Sequence, residues 1–162
     1  MLRDGPAPPR PTYPPAQERA LRTWIALTRC HAALSRADAQ LIRRHGLTPP
    51  QFAVLEALYL HGSLPLSQLG ERLLVTSGNI TYVVDNLVAL GYVARDRCAT
   101  DRRIVYARLT PRGAALLEAA FPAHAEGIER LFEVLTAREQ DELRRLLKKL
   151  GRATERGDVE GG

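Results

Sequence analysis

Cysteine and long apolar runs are both scarce in this sequence. Only Cys30 and Cys98 are present, far apart and outside any CxxC pair, so reduced thiols are expected and a structural disulfide is not. No stretch approaches the roughly 20 apolar residues that a membrane-spanning helix needs, and Met1 to Arg10 lack the apolar segment of a signal peptide. We therefore expect a cytoplasmic protein without a membrane partner.

Catalytic and metal-binding motifs are also missing. The sequence contains no GxSxG, P-loop, GxGxxG or HExxH segment, the patterns that place nucleophiles, phosphates or zinc in common enzyme folds. Its four histidines show no HxxxH or similar ligand spacing. The sequence therefore predicts a protein that is not an enzyme, with no cofactor and no metal site.

Positive charge is what the sequence does have in excess. The formal net charge is +5, and the segment from residue 95 to residue 108 holds five arginines against two aspartates. Much of the excess is therefore concentrated in one short segment, which favours a polyanionic partner such as nucleic acid. The arginines are Arg95, Arg97, Arg102, Arg103 and Arg108.

The two ends of the sequence suggest a flexible arm and an interface between subunits. Residues 1–15 hold six of the eleven prolines, which predicts a disordered arm. Residues 17–44 read as one helix with two apolar rows, and a lone monomer would leave one row exposed to water. Thr136 and Glu139 form a capping box before a leucine stripe, and residues 151–162 are expected to be frayed. The predicted dimer interface comprises Leu21, Trp24, Ile25, Leu143, Leu146, Leu147 and Leu150.

Between these ends the periodicity changes in an ordered way. Thr48 caps a helix that starts with prolines, a short helix follows at 66–73, and a third runs from a cap at Thr76 to about Ala89. Two short runs rich in Val, Ile and Tyr, 92–97 and 104–109, then predict a hairpin. The next helix contains Pro122, where a kink or a break is expected. This order predicts a mainly α protein with a winged helix-turn-helix and a small β-hairpin wing.

The candidate binding residues lie on the third helix and on the hairpin. The outer side of the helix offers hydroxyl, amide and phenol groups that suit phosphates and base edges, and a glycine that permits close approach. These residues are Thr76, Ser77, Gly78, Asn79, Thr81 and Tyr82. On the hairpin we expect Arg95, Arg97, Arg102 and Arg103 to contact DNA, since an arginine at a wing tip can enter the narrow minor groove.

Seven short segments of the sequence together match the pattern of a known family. They are Gly46-Leu47-Thr48, Gln51-Phe52-Ala53-Val54-Leu55, Leu69-Gly70-Glu71-Arg72-Leu73, Ser77-Gly78-Asn79-Ile80-Thr81, Asp85-Asn86-Leu87, Asp101-Arg102-Arg103 and Leu109-Thr110-Pro111-Arg112-Gly113. The most specific match is an aspartate-x-arginine wing tip that leads to Leu-Thr-x-x-Gly. Through these segments the chain resembles, across about residues 17–150, the MarR (multiple antibiotic resistance regulator) family. The resemblance implies a MarR-like domain over 16–150, with a winged helix-turn-helix at 46–110 and dimerisation helices at 17–45 and 111–150.

The resemblance also implies a function. It implies a homodimeric repressor that occupies a pseudo-palindromic operator in double-stranded DNA and leaves it when a small-molecule effector binds. By position, Arg102 is the wing residue that reaches DNA, while Asp101 and Arg103 brace the wing by an ion pair. The effector site is implied between the dimer helices and the winged domain, where His31 and Phe52 are candidates.

Two alternatives stay open from the residues themselves. The winged fold also serves protein contacts, so the chain could be a protein-interaction module. Cys98 follows Arg97, and nearby cations favour the thiolate form, so a thiol-based redox-sensing regulator is the other alternative. Whether Cys30 or Cys98 would sense the redox state is not decided by the sequence. Gly78 and Tyr82 depart from the family's commonest recognition pattern, so no operator sequence can be carried over.

Overall fold

The computed structural model describes residues 12–98, 100–101 and 103–155. Within this part of the chain the elements are α1 (Pro15–Arg43), α2 (Pro49–His61), β1 (Leu64–Pro65), α3 (Leu66–Leu73), α4 (Ser77–Ala89), β2 (Val93–Arg97), β3 (Val105–Leu109), α5 (Pro111–Phe132) and α6 (Ala137–Glu155). The order confirms the predicted mainly α winged helix-turn-helix. Residues 1–11 of the predicted arm lie outside the described residues, and α1 already begins at Pro15 within the arm's expected range.

The long helix α1 crosses the boundary between two compact units, Met1–Ala37 and Asp38–Gly162. In the first unit the helix exposes large apolar side chains, with Trp24 63% and Ile25 47% accessible to solvent. These positions belong to the apolar rows found in the sequence. No helix of the described residues combines the length and apolar character needed to cross a membrane.

The core of the second unit is formed by one side of each helix of the winged domain. The positions of α4 expected to face inward, Ile80, Val83, Val84 and Leu87, are all buried. The predicted start of α2 is also confirmed, because the Thr48 N–H donates to Gln51 Oε1 at 2.9 Å and the Gln51 N–H donates to Thr48 Oγ1 at 3.4 Å. These two bonds satisfy backbone donors that a helix start otherwise leaves unpaired.

The sheet has three strands, in the order β1-β3-β2, and all pairs are antiparallel. The prediction of a two-stranded hairpin was therefore incomplete, because Leu64 pairs with Ala107 and Pro65 with Tyr106. A strand of two residues has no readable periodicity, and Pro65 suggested only a turn. Since β1 is an edge strand, a proline is tolerated there. This third strand anchors the wing to the start of α3.

The structure bears on two expectations about the C-terminal helices. Helix α5 runs through Pro122 without a break, because a proline removes one backbone donor and the buried face around Leu117 and Ala120 still holds the helix in place. The break is therefore excluded, and the kink stays a prediction. Helix α6 begins at the predicted capping box, with the Glu139 N–H 3.3 Å from Thr136 Oγ1. It continues to Glu155, so residues 151–155 are helical where fraying was expected.

Candidate DNA interface

The outer side of α4 carries the polar side chains that were predicted to contact DNA. Ser77, Asn79 and Thr81 are exposed, and Tyr82 is 68% accessible. The buried positions on the opposite side fix the rotation of the helix, so these groups are presented together. Thr76 occupies the N-cap position, but its hydroxyl makes no capping hydrogen bond. Helix α4 thus has the form of a recognition helix with donors and acceptors directed outward.

Gly78 in the first turn of α4 is not required by the fold. A Cβ atom at this position would meet nothing within 4 Å, and its φ is not in the left-handed region. Glycine within a helix costs up to about 1 kcal/mol relative to alanine. The fold therefore gives no reason for glycine at position 78, and the missing side chain leaves this turn of α4 open to the expected close approach of DNA.

Arg95 on β2 holds the wing against the recognition helix. Its Nη1 lies 2.8 Å from Asp85 Oδ1, and its Nη2 donates to the Thr81 carbonyl at 3.2 Å. The side chain is 28% exposed, and its Nε is buried without a described hydrogen-bond partner. Arg95 was expected to contact DNA, but the structure places it as a link between β2 and α4, the two elements that were expected to contact DNA. Sequence reasoning missed the part of Asp85.

The turn at the tip of the wing is shaped by Asp101 through the backbone. Its Oδ1 accepts the N–H of Arg103 at 2.9 Å, and its carbonyl accepts the N–H of Ile104 at 3.0 Å. No ion pair joins Asp101 to Arg103 among the described residues. The expected contact of the two side chains is therefore replaced by a side-chain to backbone bond. Arg102, the expected DNA contact at the tip, lies outside the described residues.

The other wing arginines differ in their surroundings. Arg108 is engaged, because its Nε lies 2.6 Å from Asp96 Oδ2 on the neighbouring strand. Arg97 and Arg103 are exposed, and neither forms an ion pair with another described residue. Arg103 also lines a cleft of about 180 Å³ together with Ser67 at the start of α3. Arg97 and Arg103 are therefore the described wing cations best placed to meet phosphate.

The segment 109–113, Leu-Thr-Pro-Arg-Gly, connects α5 to the rest of the winged domain and is called the joint below. The Thr110 hydroxyl donates to the Gly91 carbonyl at 2.8 Å and accepts the N–H of Gly113 at 3.1 Å. A Cβ atom at Gly113 would lie 2.1 Å from the Tyr92 carbonyl oxygen, so only glycine fits. The guanidinium of Arg112 lies 5.0 Å from the Tyr92 ring centre. The most specific motif in the sequence thus ties α5 to the turn before β2.

Cys98 has a lowered pKa, although the cause differs from the one expected. Its Sγ lies 3.2 Å from Thr100 Oγ1. This hydrogen bond is the main reason that the pKa of the Cys98 thiol is lowered from 9.0, followed by backbone hydrogen bonds from Asp101 and Thr100. The neighbouring Arg97 is not among the causes. Cys30 is exposed on α1.

The two candidate effector residues have different local surroundings. His31, in the first unit, has its Nε2 3.5 Å from Ser35 Oγ. Phe52, in the second unit, is buried and its ring lies 4.5 Å from that of His124, whose Nε2 bonds Asp38 Oδ1 at 2.8 Å. Phe52 is therefore a core residue.

A cavity of about 330 Å³ lies along α4, at the edge between its polar side and its buried side. Neither His31 nor Phe52 lines it. Its walls come from α1, α2, the end of α3 and α4, which is why no local pattern in the sequence revealed it. The lining includes Asp38, Pro49, Val54, Asn79, Ile80 and Val83.

Comparisons with known proteins agree with this geometry. The model of the MarR family matches residues 45–104. YkoM of Bacillus subtilis, described as an uncharacterized HTH-type transcriptional regulator, is 42% identical over 134 residues, which cover 83% of this chain and 87% of YkoM. The chain is also similar to a crystal structure of a cysteine-to-serine mutant of Escherichia coli MarR in complex with operator DNA, with 27% identity and a TM-score of 0.76 over 82% of this chain and 95% of that one.

A further similar structure is that of Bordetella bronchiseptica BpsR, from work on the regulation of its DNA binding by 6-hydroxynicotinic acid. It is 28% identical, with a TM-score of 0.74 over 80% of this chain and 98% of BpsR. The recognition helix, the wing and the relationship to YkoM lead to one conclusion. The chain belongs to the MarR family and is a DNA-binding transcriptional regulator of the helix-turn-helix type, not an enzyme.

Proposed function

We propose that this regulator is a homodimeric repressor that binds a pseudo-palindromic operator and releases it when a small molecule binds. The observation that carries this proposal is the link from Arg95 on the wing to Asp85 and the Thr81 carbonyl on α4. It holds the wing and the recognition helix as one unit, and such a unit can engage two adjacent parts of a duplex at once.

Pairing with a second copy is supported by apolar side chains that stay exposed on α1 and on α6. Full burial of a large apolar side chain contributes about 1.5–3 kcal/mol, so an interface covering these residues would be strongly favoured. The exposed residues of the predicted interface are Leu21, Trp24 and Ile25 on α1, and Leu146, Leu147 and Leu150 on α6.

The dimer is tested by truncation. Removal of residues 139–162 should give a monomer or an aggregate with little affinity for DNA, because most of α6 and its leucines are lost. Sedimentation equilibrium measures the outcome, with Lys149→Ala as a matched variant that changes α6 without touching the leucines. A truncated chain that stays a tight dimer would place the interface elsewhere.

The operator is tested by footprinting on a duplex selected from a randomised pool by the full-length chain. A two-fold dimer presents two recognition helices, so protected half-sites should be centred about 10 bp apart or a small multiple of that distance. Asn79→Ala should weaken binding to this duplex by about 1–3 kcal/mol and affect random DNA much less. One isolated half-site would contradict the proposed symmetry.

The effector is proposed to occupy the cavity along α4. Its volume of about 330 Å³ suits a small aromatic molecule, and the DNA binding of the similar protein BpsR is regulated by 6-hydroxynicotinic acid. Asn79 lines this cavity and also belongs to the polar face of α4. A ligand that pushes α4 outward would therefore displace a residue proposed to read the operator.

Filling the cavity tests this location. Compounds that release the selected duplex should raise the melting temperature of the native chain but not that of Val83→Phe, because Val83 lines this cavity and a larger side chain there would reduce the space for a ligand. An equal rise in both proteins would place the effector site elsewhere. Repression itself is tested in the cell, where deleting the gene should raise transcription from the promoter that carries the operator, and a fall would contradict repression.

A further inference from the structure

Leu74, in the turn between α3 and α4, is an unusual residue of this fold. Its side chain is 93% exposed, and its backbone lies in the left-handed region, with φ 53° and ψ 40°. Among the described residues it is the only one other than glycine with a positive φ. Its N–H bonds the Glu71 carbonyl, and the next N–H, of Val75, bonds the Gly70 carbonyl at 3.0 Å.

A leucine is a poor choice for this backbone conformation. The Cβ atom crowds the backbone in the left-handed region, so glycine or asparagine is preferred at such a helix end. Burial could offset this cost, but the Leu74 side chain is almost entirely exposed. Neither the turn nor the core therefore explains a leucine here, and an unfavourable residue that the fold does not use indicates a function outside it.

The surroundings of Leu74 indicate what that function is. The residue lines an open groove of about 620 Å³ together with Thr76 and Ser77, the first residues of the predicted DNA-binding set. Glu71 lines the same groove, and its negative charge disfavours a phosphate group there. The Leu74 side chain has no polar atom, so a contact that it makes with duplex DNA is an apolar one. The apolar surfaces that DNA offers are thymine methyl groups in the major groove and the C–H faces of deoxyribose.

We propose that Leu74 is a specificity-determining residue that contacts an apolar group of the operator beside the N-terminus of α4. The inference rests on the proposed DNA binding of this chain and adds a contact to it. The contact is made by the turn before the recognition helix, and it is apolar in an interface otherwise formed by hydroxyl, amide and guanidinium groups.

Three substitutions separate the contact from the conformation of the turn. In Leu74→Gly the backbone strain is relieved, so the melting temperature should rise by about 2–4 °C, while operator affinity should fall about tenfold because an apolar contact is lost. Leu74→Asn should show the same loss of affinity without the extra flexibility of glycine, since asparagine tolerates this conformation. Leu74→Met keeps an apolar side chain and should keep most of the affinity.

The probe is the duplex that the native full-length chain selects from a randomised pool, with affinity measured by fluorescence anisotropy. Replacing each thymine in turn by deoxyuridine removes only the methyl group. If one replacement weakens the native chain but not Leu74→Gly, the contact is a thymine methyl; if none does while Leu74→Gly and Leu74→Asn still bind weakly, it is deoxyribose.

The failures can be told apart. Native affinity in both Leu74→Gly and Leu74→Asn would overturn this proposal and leave the DNA-binding function intact. Native affinity would overturn the proposal even if these variants failed to control transcription in the cell, because that failure would indicate that Leu74 contacts a protein and not the operator. If the native chain selects no duplex at all, the proposed function fails together with the inference.

Discussion

Breaking the link between Arg95 and Asp85 should weaken DNA binding more than it weakens the fold. The two side chains are 28% and 57% exposed although their atoms lie 2.8 Å apart, and exposed pairs contribute about 0.2–1 kcal/mol. Asp85→Ala should therefore lower the melting temperature by at most about 2–4 °C. Operator affinity should fall about tenfold, equivalent to about 1.4 kcal/mol, because the wing is no longer held at α4.

The direction in which operator affinity changes in Asp85→Ala distinguishes a positioning role of Asp85 from a simple effect of its negative charge. Removing an acidic group from a DNA-binding surface should by itself strengthen binding, so a loss of affinity in Asp85→Ala must come from geometry. Anisotropy with the selected duplex, measured for Asp85→Ala, Arg95→Ala and the double variant, gives the coupling between the two residues. Arg95→Lys serves as the control that keeps the charge. Tighter binding by Asp85→Ala, or strictly additive effects, would refute the reasoning.

Three further predictions concern the joint, the wing tip and the thiol. Gly113→Ala should lose about 3 kcal/mol of stability in thermal unfolding because its Cβ would clash with backbone. Gly78→Ala, with open space around its Cβ, should gain stability, and equal changes in the stability of the two variants would contradict this. Asp101→Ala should bind the selected duplex more weakly than the native chain in anisotropy, although it removes a repelling charge. Asp101→Asn, which keeps the acceptor oxygen, should bind better than Asp101→Ala. Stronger binding by Asp101→Ala than by the native chain would mean that the turn does not need this hydrogen bond. The lowered pKa of Cys98 means that its thiolate persists to lower pH than that of an ordinary thiol. Thr100→Val removes the side-chain hydrogen bond that is the main cause, so it should raise the pH at which alkylation of Cys98 is half-maximal. If that pH does not change, the hydrogen bond is not the cause.

The sequence was most informative where structure is determined by near neighbours. The buried side of α4, the short helix α3 and the capping boxes at Thr48 and Thr136 follow from spacing and from contacts within one turn, and all were predicted. Burial of the inner side fixes the outer side, so the polar face of α4 was predictable as well.

Roles that depend on contacts between distant segments were not predictable in the same way. Arg95 was grouped with the other wing cations because its partners lie on another element, and β1 was missed because its pairing with β3 crosses more than forty positions of sequence. The left-handed conformation of Leu74 was missed for a different reason, since leucine gives no sign of it in a sequence.

The contacts of Arg95 with α4 affect how this regulator can change the operator sequence that it prefers. One of its two contacts on α4 is the main-chain oxygen of Thr81, not the side chain of that residue. The side chain of Thr81, one of the residues proposed to contact DNA, can therefore be replaced while Arg95 keeps this contact. On the proposed function, the position of the wing and the choice of base are separable here, and a library that varies Thr81 but retains Arg95 and Asp85 should yield altered operators more readily than one that varies all three.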